Sequence, residues 1–174
     1  NHAAAVESYR AALAIQPDFL DALDNLGLAL RELGEHDEAV AALRRAVALS
    51  PQAPGPRLHL GVLHLGAGDH RAAATEFRDL LAHHPQHPEA LINLGRAEVD
   101  GEAFAAAHEL FRQALDLLPD SAAVRNGLGL ALRGLGHIEQ AEAAFREALA
   151  LNPDSVEARF NLGSLLVHED RHED

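Results

Sequence analysis

The chain contains no cysteine. Disulfides and thiolate metal sites are thereby excluded, and nothing in the sequence reports the redox compartment. Lysine is absent too, so the 14 basic residues are all arginine, set against 27 acids for a formal net charge of −13. That balance argues against nucleic acid, whose phosphates it repels. Solubility accounts for it, and a basic partner would suit it. Aromatic residues are only 4% of the 174, and no apolar run approaches membrane-spanning length. The opening NHAAAVESYR has neither the basic head nor the long apolar stretch of a signal peptide, so a cytoplasmic location is expected. It also lacks an initiator methionine, and a piece of a longer chain is expected. What the sequence does have is alanine and leucine, which dominate its 48% apolar content and favour helices. A lysine-free composition rich in alanine, arginine and leucine suits a GC-rich bacterial genome.

Internal repetition organises the chain. Pro17, Pro51, Pro85, Pro119 and Pro153 are each 34 residues apart. Gly27, Gly61, Gly95, Gly129 and Gly163 keep the same period, each preceded by leucine. So do Ala5, Ala39, Ala73, Ala107 and Ala141, the bulky column Tyr9, Leu43, Phe77, Phe111 and Phe145, and the column Ala12, Ala46, Leu80, Ala114 and Ala148. Proline cannot continue a helix and marks the end of a repeat. A glycine inside a helix costs about 1 kcal/mol against alanine. A column of them therefore implies close helix–helix approach, with the alanine column expected on the opposing helix and the bulky column expected between neighbouring repeats.

Each repeat carries two apolar stripes of helical spacing, such as Leu23, Leu26, Leu30 and Leu33, then Ala39, Leu43, Ala46 and Val47. Between them Gly34-Glu35-His36 reads as a turn. Gly68 and Gly136 take the same place, and Gly101 falls one residue early. First helices are expected at 21–33, 55–67, 89–101, 123–135 and 157–168, and second helices at 3–15, 37–49, 71–83, 105–117 and 139–151. Asp18, Asp120 and Asp154 follow the prolines and suit N-caps, and Asp154 with Glu157 resembles a capping box.

A 34-residue helical hairpin with Leu-Gly in its first helix, alanine–aromatic–alanine in its second and a terminal proline resembles the tetratricopeptide repeat. The resemblance covers the whole chain as one array: a half repeat at 1–19, repeats at 20–53, 54–87, 88–121 and 122–155, and a half repeat at 156–174. It departs from the family pattern where tryptophan is frequent, since Leu23, Arg57, Leu91, Arg125 and Arg159 stand there. First-helix packing is then expected to rely on neighbouring leucines. The resemblance implies an all-α fold, a right-handed α-solenoid of stacked helix-turn-helix repeats with first helices on the concave side. It also implies a non-catalytic module that binds proteins or peptides, with no cofactor. Fold alone does not assign function.

One column, Asn25, His59, Asn93, Gly127 and Asn161, precedes the Leu-Gly pair and is expected to face the groove, with Asn126 one residue off phase. A carboxamide both donates and accepts, so it can pair with a peptide backbone. The row resembles the asparagine ladder in the tetratricopeptide superhelix of O-GlcNAc transferase, interrupted here by His59 and Gly127. A family consensus that serves the scaffold is the other reading. Leu28, Leu58, Val62, Ile92, Leu130 and Phe160 are apolar candidates for the same face, and Arg31, Arg96 and Arg133 basic ones. The expected peptide-binding set is Asn25, Asn93, Asn126, Asn161, Arg31, Arg96 and Arg133. The chain reads as a free-standing interaction module, as the substrate-recruiting arm of a larger enzyme such as a glycosyltransferase, or as a scaffold self-associating head to tail through helices 3–15 and 157–168.

His168-Glu169-Asp170-Arg171-His172 matches the H-E-x-x-H pattern of zinc proteases. In register, however, His172 joins the column His2, His36, His70, Phe104 and Ile138 just after the turn. The turn thus separates the two histidines that a zinc site needs on one helix, and no third ligand follows. His83-His84-Pro85-Gln86-His87 lies at a repeat boundary and reads as a solvated junction. No metal site is expected.

Overall fold

A computed structural model of the chain describes residues 1–170, with the side chains of residues 1–167. Among the described residues it consists of ten α-helices and no strand. The chain divides into two compact units, Asn1–Pro85 and Gln86–Asp174. The first contains α1 (His2–Ile15), α2 (Leu20–Leu33), α3 (His36–Leu49), α4 (Pro54–Gly66) and α5 (His70–His83). The second contains α6 (Pro88–Asp100), α7 (Phe104–Leu117), α8 (Ala122–Gly134), α9 (Ile138–Leu151) and α10 (Val156–Asp170). Even-numbered helices are the first helices of the hairpins, odd-numbered ones the second.

The turn inside each hairpin closes the same way. The residue at the end of the first helix adopts a left-handed conformation at Gly34, Gly68 and Gly136, with φ of 80°, 76° and 78°. The next amide then reaches back five residues, as Glu35 N–H does to the Leu30 carbonyl at 3.0 Å and His137 N–H to the Leu132 carbonyl at 2.9 Å. This pairing satisfies carbonyls that the helix end would leave orphaned. In the third turn the left-handed residue is Glu102, at φ 59°, while the glycine one place earlier stays at φ −85°. Register therefore outweighed residue type: the Schellman geometry fixes which position must be left-handed, and the available glycine is not at it.

Second helices stop two residues before each proline. The N-caps differ from expectation. Ser121 Oγ accepts from Val124 N–H at 3.4 Å and Ser155 Oγ from Ala158 N–H at 3.2 Å, so Asp120 and Asp154 lie in the preceding turns and cap nothing there. The α2 N-cap is Phe19, with no side-chain cap, and Asp18 pairs instead with Arg45. Proline takes the first position of α4 and α6, where its missing N–H costs no hydrogen bond.

The nearest neighbours of the glycine column are the side chains of the bulky column. A Cβ added to Gly27 would lie 2.5 Å from Leu43, one at Gly61 2.5 Å from Phe77, one at Gly95 2.8 Å from Phe111 and one at Gly129 2.5 Å from Phe145. The wedge and its notch thus belong to the same hairpin. These wedges are fully buried, each contributing about 1.5–3 kcal/mol by the usual measure of a buried large side chain. The expectation that they also fill the space between repeats holds: Leu43 clusters with Leu60 and Leu63 of the following hairpin, Phe145 with Leu165 of α10, and Phe111 meets the helix that follows its own. Its ring also blocks Gly127 of the next hairpin at 2.5 Å, while Phe104 of the same helix blocks Gly134 at 2.2 Å. Two phenylalanines seven residues apart on α7 thereby seat on two glycines seven apart on α8.

Arginine replaces the apolar wedge of the first helices with an ion pair across the hairpin. Arg57 reaches Glu76 and Asp79 of α5 at 3.0 Å each, and Arg125 reaches Glu147 of α9. Within each unit, consecutive first helices touch: α2 with α4, α6 with α8, and α8 with α10. In the second unit, α7 and α9 do not. The first-helix face is therefore the inner one.

Candidate functional site

The inner face of the second unit holds a groove of about 680 Å³ spanning α6, α8 and α10. Its apolar lining includes Ile92, Leu130 and Phe160, and its polar lining includes Arg96, Asn126 and Asn161. Phe160 is 71% exposed, whereas Ile92 and Leu130 are half-buried. Phe111 lies at the bottom of the lining, only 1% exposed, in the space that a side chain at Gly127 would need.

A polar rung borders the groove. Asn161 Nδ2 donates to Asn126 Oδ1 at 2.9 Å. The first unit has a rung of the same register, in which His59 Nδ1 and Asp24 Oδ1 are 2.7 Å apart, both half-buried. In each case a residue of the asparagine column meets the residue one place earlier in the column of the preceding first helix. Asp24 was not a sequence candidate. The signal that could have found it is the 35-residue offset between paired polar residues.

The remaining candidates are distributed differently. Asn25 is exposed and donates to the Asp21 carbonyl of its own helix at 2.8 Å. Asn93 is half-buried and does not line the groove. Arg31 is held by the adjacent Glu32, with Nη2 2.7 Å from Oε1. The Arg31 hydrogen bond, reinforced by its charge, keeps the Glu32 carboxyl below the usual range. Arg133 is half-buried and lies outside the groove lining, while Arg96 is exposed within it. The structure thus gathers Asn126, Asn161 and Arg96 into one site and leaves Asn25, Asn93, Arg31 and Arg133 out of it.

Among the described residues, no group of three His, Cys, Asp or Glu side chains is placed to hold a metal. In the histidine-rich junction, His84 Nε2 is bonded to the Gln52 carbonyl at 2.7 Å, and His87 Nδ1 accepts from Ala90 N–H at 3.3 Å. In the H-E-x-x-H stretch, α10 continues through His168 to Asp170, past the expected stop, and His172 lies outside the described residues. No helix of the described chain is long and apolar enough to cross a membrane.

The family profile described as tetratricopeptide repeat matches residues 58–122 and 126–174, more than half of the chain. The chain belongs to the tetratricopeptide repeat family. A second tetratricopeptide repeat profile matches residues 27–68. A search of curated proteins gave no match. Among solved structures, MamA from Desulfovibrio magneticus RS-1 is similar at 23% identity and a TM-score of 0.81, covering 88% of this chain and 87% of MamA. A tetratricopeptide repeat protein from Parabacteroides merdae ATCC 43184 has 22% identity and a TM-score of 0.86, with 94% of this chain and 65% of that one covered. YrrB, described as a tetratricopeptide repeat protein with an unusual peptide-binding site, has 19% identity and a TM-score of 0.78, with 95% and 85% covered. At these identities the likeness establishes the tetratricopeptide fold, an all-α repeat of stacked hairpins, and assigns no ligand.

Proposed function

We propose that the chain is a non-catalytic interaction module that holds a peptide or protein segment in the groove of its second unit. The observation that carries this reading is the groove itself. Its volume falls in the range of about 300–1,000 Å³ typical of ligand sites. It combines apolar walls with a polar rung. The rung uses one donor of Asn161 and one acceptor of Asn126. The Asn126 amide N–H remains for a peptide carbonyl, as a backbone-pairing residue requires. YrrB, a fold neighbour, is described as having a peptide-binding site, which makes the reading reasonable for this chain. The test is calorimetry with peptides selected on the wild-type protein, repeated on Asn126→Ala with Asn161→Ala. Weakening of about tenfold is expected from losing one or two backbone hydrogen bonds; unchanged binding by a folded double variant would remove the rung from the site.

A second reading, head-to-tail association of α10 of one copy with α1 of another, is favoured by Val156, Leu166 and Val167, which are exposed on α10. A monomer mass independent of concentration would rule it out. A role as the recruiting arm of an enzyme is compatible with the peptide-binding reading, and loss of substrate capture on substituting Asn126 and Asn161 tests it.

A further inference from the structure

We infer that the second-unit groove selects an extended peptide carrying a bulky apolar side chain beside an acidic residue, and that Ile92, Leu130 and Phe160, with no polar side chain at Gly127 among them, determine the apolar part of that preference. The inference rests on the peptide-binding reading and specifies its ligand.

In the column Asn25, His59, Asn93, Gly127 and Asn161, the glycine is the one position without a polar side chain. Its space is already taken. A Cβ at residue 127 would lie 2.5 Å from both Cε1 and Cζ of Phe111. That ring is anchored from behind, because a Cβ at Gly95 would meet it at 2.8 Å. The buried Phe111 ring therefore stands where the repeat pattern would place a carboxamide, and no polar side chain from residue 127 enters the groove. Ile92, Leu130 and Phe160 border it. A ligand side chain seated here exchanges water for apolar surface on several sides, which favours leucine or phenylalanine over alanine or a polar residue.

The charge preference comes from Arg96. It lies exposed in the groove lining on α6 and enters no ion pair among the described residues. The neighbouring groove acid, Asp100, has an interaction partner of its own within the chain. Three other arginines of this unit are engaged in ion pairs, Arg112 with Glu109, Arg125 with Glu147 and Arg146 with Glu142, and Arg133 lies outside the groove lining. Arg96 thus offers its guanidinium to a carboxylate of the ligand, the partner whose geometry a guanidinium matches best. Glu157 also lines the groove, in the first turn of α10. It lies across α8 from Arg96, so the acidic residue of the ligand belongs at the α6 side.

The experiment is selection from a phage-displayed random peptide library on the full chain, in parallel on wild type, Arg96→Glu, Phe160→Ala and Gly127→Asn. The selected peptides are then measured by fluorescence anisotropy. Wild type should enrich leucine or phenylalanine within a few positions of aspartate or glutamate. Arg96→Glu should exchange the acidic enrichment for arginine or lysine and bind the wild-type peptide about tenfold or more weakly, the loss of a charge-assisted hydrogen bond. Gly127→Asn should lose the enrichment for bulky apolar residues. If the new side chain prevents folding, Phe160→Ala, at an exposed position, gives the same readout through the wall of the seat. Recovery of no peptide by wild type would overturn the peptide-binding reading itself. Peptides without the apolar–acidic pairing, or with a charge preference unmoved by Arg96→Glu, would overturn this inference alone.

Discussion

Gly61 of α4 faces Phe77 of α5 so closely that a methyl group on the glycine would lie 2.5 Å from the ring. Gly163 holds the same place in α10, yet an added Cβ there meets nothing within 4 Å. The two positions therefore separate the packing role of the glycine column from its helix propensity. Gly61→Ala forces the ring aside and should destabilise by about 1–3 kcal/mol, less the roughly 1 kcal/mol that alanine gains in a helix. Gly163→Ala keeps only the gain and should stabilise by up to about 1 kcal/mol. Urea unfolding of the two variants beside wild type decides it, and destabilisation by both would show that the packing argument is wrong.

Glu102 carries a φ of 59° in a turn where the three equivalent residues are glycine. A side chain in that conformation costs about 1–2 kcal/mol. Replacing it with glycine removes the strain but adds backbone freedom to the unfolded chain. A net stabilisation of about 0.5–1 kcal/mol is expected. Moving the glycine, with Gly101→Ala and Glu102→Gly together, should not undo the gain, since residue 101 sits at φ −85°. Denaturant midpoints of the single and double variants check both statements.

Arg57 is only 12% exposed and bridges Glu76, itself 20% exposed, and Asp79. Arg57→Ala leaves Glu76 without its cation in a partly dry setting. A loss of about 1.5–3 kcal/mol is expected. Arg57→Leu, which restores the leucine found at Leu23 and Leu91 but still strands the carboxylate, should recover only part of it. Adding Glu76→Gln to Arg57→Leu should recover more. Thermal unfolding of the three variants measures the sequence of losses.

Glu32 owes its lowered pKa first to the hydrogen bond from Arg31 and then to its charge. Arg31→Ala should raise it toward the ordinary carboxylate value, as read from the Glu32 side-chain carbon shift across a pH titration. The sign follows from the direction. A carboxyl with a depressed folded pKa adds stability above its unfolded pKa, and loses it as pH falls through the folded value. The variant should therefore lose a small, salt-sensitive part of the pH dependence on the acid side, because the Glu32 side chain is exposed.

The repeat period and all ten helices were legible in the sequence, because proline, glycine and apolar columns repeat on a scale that one helical hairpin dictates. Helix boundaries shifted by a residue or two where the cap chemistry was local: Ser121 and Ser155 displaced the neighbouring aspartates. The partner of the glycine column was not legible. Alanine and phenylalanine are both seated on the second helix at helical spacing, and only the rotation of that helix decides which meets the notch. The same holds for the site. The sequence supplied Asn126, Asn161 and Arg96 together with Asn25, Asn93, Arg31 and Arg133, since column membership is all that a period reveals. Asp24, Glu32 and the Asp21 carbonyl lie off the asparagine column, and they determine which polar groups bond within the chain. Gly127 read as a gap in a ladder; in three dimensions the buried Phe111 ring takes the space of its missing side chain.

Because Leu43, Phe77, Phe111 and Phe145 each seat in a glycine of their own hairpin, a hairpin carries both halves of its closure. Such hairpins can be duplicated, deleted or reordered without breaking what closes them. The α7–α8 junction is different: Phe104 and Phe111 need Gly134 and Gly127 to follow them. Those two hairpins therefore keep their packing only as neighbours in that order, and in a shuffled or lengthened array they should be moved together.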